Sequence, residues 1–142
     1  MMKKRFELAS KSEVLSPFRK ELRQLLGQAG WEKKSTEGIL LAVDEALTNI
    51  IRHAYGGQPG TIVVLFEDDP AKTEIILEDL GKKFDPTTVP PPELPRQKPG
   101  GLGVHFIKTI MDRLVYDEAF KEGNRLHMIK LKSKNPKGEE VL

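Results

Sequence analysis

The stretch 39–55, ILLAVDEALTNIIRHAY, constrains the fold more than any other part of the chain. At roughly 100° per residue, Ile39, Val43, Ala46, Leu47, Ile50 and Ala54 fall on one arc, which predicts a helix buried along one side. Glu45 and Asn49 lie nearly opposite that arc, one turn apart and pointing the same way. A carboxylate one turn from a carboxamide can hold a Mg2+ ion and activate a nearby hydroxyl. Most such pairs on a polar helix face are simply solvated. This one gains weight from two glycine-bearing segments downstream.

The rest of the pattern sets the architecture. Residues 4–9 alternate weakly and predict a first strand. Leu15, Phe18, Leu22, Leu25 and Leu26 predict a helix over 15–27, with Ser16-Pro17 near its start and Gly27 and Gly30 after it. The second helix runs to about His53, before Gly56-Gly57, with Ser35 or Thr36 as its cap. Residues 61–67 and 73–78 read as a hairpin closed at Asp68-Asp69-Pro70-Ala71. Pro86, Pro90, Pro91, Pro92 and Pro95 make 80–101 a loop, with Pro99-Gly100-Gly101 at its end. A loop this long inside a domain is often a functional lid; a plain surface insertion is the alternative. A third helix over 102–112 buries Val104, Ile107, Ile110 and Met111, with Leu114 just beyond. Strands at 113–117 and 124–132 form a closing hairpin, and 134–142 is a polar tail. Helices and strands come in groups, which favours an α+β fold with a mixed, mostly antiparallel sheet covered on one face.

Composition excludes whole classes of function. The 142 residues are read as a single domain, 1–142, large enough for a core. A net charge of +2, from 23 basic and 21 acidic residues, gives no global field for nucleic acid or anionic membranes. Cysteine is absent, so disulfides and thiolate metal sites are excluded. The basic N-terminus has no apolar stretch behind it, so no signal peptide is expected. No apolar run approaches the ~20 residues needed to span a bilayer. A soluble, cytoplasmic domain without direct nucleic-acid or membrane contact is the expectation.

The two downstream segments carry the chemistry. Glu78-Asp79-Leu80-Gly81 ends a strand and starts the long loop. A carboxylate there can receive the amino group of a flat ring, and a glycine two residues on lets the ring approach the backbone. Asp-x-Gly is also an ordinary strand-to-turn signal. Gly100-Gly101-Leu102-Gly103 leads into the third helix, where free N–H groups and the positive dipole end suit phosphate. Neither a Walker A loop nor a G-x-G-x-x-G fingerprint is present, and the glycines alone could merely turn the chain.

In this order and at these spacings, the three segments resemble the N, G1 and G2 boxes of the GHKL superfamily, which includes gyrase, histidine kinases and MutL. The resemblance spans about residues 35–132. LAVDEALTN (41–49) and GGLGVHFIKTIMD (100–112) are similar to the RsbW-type anti-sigma-factor serine kinases. This resemblance implies the Bergerat fold, a two-layer α/β sandwich with ATP held under a lid over 80–101. It implies ATP and Mg2+ as cofactors, Asn49 as the Mg2+ ligand bridging the phosphates, and Glu45 as the general base. It further implies that Asp79 receives the adenine amino group, Gly81 makes room for the ring, and Gly101, Leu102 and Gly103 border the phosphates. Lys98, or Arg96, would bring a positive charge to the γ-phosphate; a solvated loop cation is the alternative.

Departures from the pattern are equally specific. The second G1 glycine is replaced by Lys82 or Lys83. A Thr often found on a late strand near adenine is absent, because Gly123-Asn124-Arg125-Leu126 occupies that region; Arg125 is expected to reshape the base pocket. His53 is read as approaching the nucleotide or completing a helix end. His105 and His127 are too scattered for a metal cluster, and Trp31 is expected to pack between the first two helices. Arg19 and Arg23 either contact a partner or form a solvated face.

What the resemblance implies is a serine/threonine kinase that phosphorylates an anti-anti-sigma protein and binds a sigma factor. The alternative is an ATP-binding interaction module without significant kinase activity. The resemblance also allows a homodimer through the first strand and first helix.

Overall fold

The structure, a computed structural model, describes residues 1–88 and 102–132, with the backbone alone at 102 and 103. The elements follow the expected order: β1 (Met2–Ala9), α1 (Leu15–Gln28), α2 (Lys33–Asn49), β2 (Thr61–Asp68), β3 (Lys72–Asp79), α3 (Leu102–Ile110), β4 (Arg113–Tyr116) and β5 (Asn124–Leu131). All five strands pair antiparallel in the order β1-β2-β3-β5-β4, so β5 inserts between β3 and β4.

Strand alternation sorts the residues into two faces. Ile62, Val64 and Phe66 of β2, Ile75 and Leu77 of β3, and Leu126 and Met128 of β5 join the core built with the helices. Phe18, Leu22 and Leu26 of α1, Ile39, Val43 and Leu47 of α2, and Ile107 of α3 complete it. This is the expected two-layer sandwich. The other sheet face carries a network of charge: Arg125 pairs with Glu78 and Asp117, and His127 Nδ1 lies 2.7 Å from Glu74.

Helix ends depart from expectation for local reasons. Glu32 is the N-cap of α2 and offers no side-chain cap bond. Thr36 is buried one turn in, and its hydroxyl donates to the Trp31 carbonyl at 3.4 Å, so neither Ser35 nor Thr36 is the cap. The α-register ends at Asn49, and the next residues, Ile50–Ala54, form a π-turn. Trp31 does more than fill space between helices. Its indole N–H donates to Thr73 at 2.8 Å, Thr73 donates to Asp68 at 2.6 Å, and Lys132 closes the set on Asp68 at 2.9 Å. Arg19 and Arg23 are interhelical ties, to Asp44 at 2.8 Å and Glu37 at 2.9 Å.

Most of the loop expected over 80–101, and the tail at 134–142, lie outside the described residues. Among the described residues, no helix is long and apolar enough to cross a membrane, and none of the His, Asp and Glu side chains cluster into a metal site.

Candidate active site

The site forms where the end of α2 meets the end of β3. α2 carries Glu45 and Asn49 on one side, both half-buried. Among the described residues Glu45 makes no hydrogen bond or ion pair. The Asn49 Nδ2 is buried and has no partner there. An unmade hydrogen bond on a buried donor costs about 1–3 kcal/mol, so such a group in a folded protein calls for an explanation.

The π-turn that follows brings the chain onto the β3 loop. The Ala54 carbonyl accepts the Lys82 N–H at 2.7 Å, and a Cβ on Gly81 would stand 2.5 Å from that carbonyl oxygen. Glycine at 81 is therefore required by backbone contact before any ligand is considered. His53, near the end of the π-turn, stacks on Phe84 with ring centroids 4.8 Å apart. Tyr55 braces the same region: its hydroxyl donates to the Thr61 carbonyl and accepts the Leu80 N–H, over a Gly60 that has no room for a Cβ. π-turns are rare and often mark functional positions. This one places the Asn49 helix directly against the Asp79 turn.

Asp79 is the last residue of β3 and only 2% exposed. Its Oδ1 accepts the Gly81 N–H and the Asn124 side-chain N–H, each at 2.9 Å. Its Oδ2 is buried and has no partner among the described residues. Burial pushes the Asp79 carboxyl above the ordinary carboxylate range, opposed by the Asn124 and Gly81 bonds and by the nearby Lys83 charge. The site thus offers an orphaned acceptor at Asp79 and an orphaned donor at Asn49. A flat ring bearing an amino group fits the first. The second, a carboxamide, can donate to a phosphate oxygen and present its own oxygen to a hard cation.

Three residues of this site carried no functional role in the sequence reading. Asn124 stands opposite Asp79 in the β3–β5 register, where the expected Thr is missing. Gly123, just before it, lets the two strand ends approach: a Cβ there would lie 2.0 Å from the Asp79 carbonyl oxygen. Tyr116 donates to Asn124 from β4 at 2.5 Å. The signal was the Gly-Asn pair opening a strand, which becomes interpretable only with the register. Arg125 is a correction. It follows Asn124 by one residue, so the pleat turns it to the opposite sheet face, held by Glu78 and Asp117 and capped by the Phe120 ring at 4.3 Å. It does not face Asp79.

Of the other expected contacts, Gly103 and Leu102 lie at the start of α3, while Lys98, Arg96 and Gly101 fall outside the described residues.

The histidine kinase-like ATPase domain family matches residues 8–130. A serine-protein kinase RsbW of Listeria innocua is 34% identical over 123 residues, covering 79% of this chain and 78% of the relative. The serine-protein kinase RsbW of Staphylococcus aureus is 31% identical over 141 residues, covering 92% and 89%. That of Halalkalibacterium halodurans is 34% identical over 120 residues, covering 77% and 72%.

The chain belongs to the RsbW-type serine-protein kinases of the histidine kinase-like ATPase family.

Within an RsbW-type domain, the tight crossing at Gly123 makes a simple test of the pocket. Gly123→Ala will force the Asp79 and Asn124 strand ends apart, at a cost of about 1–3 kcal/mol typical of overpacking. Chemical denaturation will read the lost stability, and calorimetry with Mg-ATP will read a weakened site.

Proposed function

We propose that the chain is an ATP-dependent serine/threonine kinase and anti-sigma factor, which phosphorylates an anti-anti-sigma protein and binds a sigma factor. The observation that carries the reading is the buried, partnerless Asp79 Oδ2 beside a carboxylate oxygen already fully engaged. An adenine amino group would satisfy it. Asn49 would hold Mg2+ through its side-chain oxygen, and its unpartnered Nδ2 would be left to donate to phosphate. When bound, Mg2+ supplies neutralisation of the phosphate charge. Leu102 and Gly103, at the start of α3, would offer backbone to the phosphates; Gly101 and Lys98, outside the described residues, are assigned backbone and charge by the family pattern.

Glu45 takes the proton of the substrate serine hydroxyl as its oxygen attacks the γ-phosphorus. The new O–P bond forms while the bond to the bridging oxygen of ADP breaks, and phosphoryl transfer then depends on positioning and charge. Partners of this kind place the chain in the cytoplasm. Among the described residues β1 ends the sheet and pairs with β2 alone, and its outer backbone edge is the surface offered to a second copy.

The test is transfer of radiolabelled phosphate from ATP to the antagonist that co-purifies from the native cell, with Mg-ATP binding measured in parallel. Wild type will label the antagonist on serine. Asn49→Ala will impair Mg-ATP binding and transfer together. A wild-type protein that binds its partners and labels none of them would leave an ATP-binding interaction module in place of a kinase.

A further inference from the structure

Asn124 makes four hydrogen bonds, the full capacity of its carboxamide in this geometry. Nδ2 donates to Asp79 Oδ1 and to the Lys82 carbonyl, each at 2.9 Å. Oδ1 accepts the Phe84 N–H at 2.9 Å and the Tyr116 hydroxyl at 2.5 Å. Two donors converge on one end and two acceptors on the other, so the amide has one orientation only. It is 5% exposed, in a site bounded by Tyr116 on β4 and the 82–84 turn.

A side chain so committed has nothing left to offer a ligand. Any effect on nucleotide passes through the groups it holds, Asp79 and the 82–84 turn. We propose that Asn124 is a positioning residue for nucleotide selection: by occupying Asp79 Oδ1 it aims the free Oδ2 at a purine amino group. This inference rests on the reading that Asp79 receives adenine. It adds that the base is read by one carboxylate oxygen held from behind, and that the residue in place of the usual Thr does not touch the base. A purine with a carbonyl in place of the amino group, as in GTP, would set oxygen against oxygen at Oδ2.

The same four bonds also tie the 82–84 turn to β5, so a loss of binding in Asn124→Ala would not separate aim from folding. Threonine and valine do separate them. Both lose the bonds to the Lys82 carbonyl and Phe84 N–H, and both are nearly equal in volume. Only threonine keeps a hydroxyl that can donate to Asp79. Lys83 on the turn is the charge that acts on this carboxylate; Tyr116 on β4 feels Asp79 together with Asp85 and Glu118, and none of these groups is altered in either variant.

Mg-ATP affinity is measured by calorimetry against pH for wild type, Asn124→Thr, Asn124→Val and Asp79→Asn, with Mg-GTP as the second ligand. Asn124→Val is expected to weaken Mg-ATP at least tenfold and to narrow the preference for ATP over GTP. Its acid limb of binding should move upward by about one pH unit or more, the scale of a lost hydrogen bond to an ionised acceptor. Asn124→Thr should retain the wild-type limb. Equal limbs in the threonine and valine variants, with Asp79→Asn still defective, would overturn the positioning role and leave the adenine assignment standing. Undiminished binding in Asp79→Asn would overturn the adenine assignment itself. If neither Asn124 variant folds, the Asp79 carboxyl is titrated by carbon NMR in Tyr116→Phe: an upward shift supports the role and an unmoved titration overturns it.

Discussion

Glu45→Ala will slow phosphate transfer by about 10²–10⁴-fold, the contribution of a positioned general base, while Mg-ATP affinity stays close to wild type. Both halves follow from where Glu45 stands. It lies one turn before Asn49 on α2, half-buried and without a hydrogen bond or ion pair among the described residues. The adenine contacts assigned to the site come from β3 and the turn after it, so removing a carboxylate on the helix leaves them in place. Glu45→Gln sharpens the test, because it keeps the shape and one oxygen acceptor but cannot take a proton. It should be nearly as slow as alanine. Transfer at the wild-type rate in either variant removes Glu45 as the base, and a parallel collapse of Mg-ATP binding would place it among the binding residues instead.

Period and punctuation made the element order legible, because each element here buries one stripe and is bounded by Gly, Pro or Asp. What escaped the sequence depended on tertiary register. The π-turn at Ile50–Ala54 was invisible because Ile50 and Ala54 are both buried, as a continuing α-helix would also have them. Arg19 and Arg23 look solvated in sequence, yet their partners Asp44 and Glu37 lie on another helix at a separation that only packing sets. Asp79 and Asn49 were legible as types at a spacing. Asn124 was not, since its place opposite Asp79 follows from β5 pairing with β3 across 45 residues of chain. The same register turns Arg125 away from the pocket. One pairing therefore supplies the missing residue and removes the wrong one.

Asp79→Asn will reduce Mg-ATP affinity severely without lowering the stability of the nucleotide-free protein. The carboxylate is buried, and desolvation is the largest influence on its protonation, raising its pKa above the ordinary 3.8. A group whose folded pKa is raised binds protons more tightly in the native state, so its contribution to stability declines as pH rises from about 3.8 through the folded value. Above the folded value the ionised Asp79 is thus a cost in the nucleotide-free protein, kept in check by Asn124, the Gly81 N–H and Lys83. Asparagine removes that charge but places an amide N–H2 where Oδ2 was, so a donor faces the adenine amino group and recognition fails. Thermal melting should show a midpoint equal to or above wild type at pH 7, while calorimetry shows binding lost. In wild type, the same ionisation gives a pH dependence of opposite sense for the ligand: Mg-ATP affinity will fall as pH drops through the raised Asp79 pKa, and the asparagine variant will lack that acid limb. A variant that binds Mg-ATP normally, or a wild-type limb that persists in it, would remove Asp79 as the adenine acceptor.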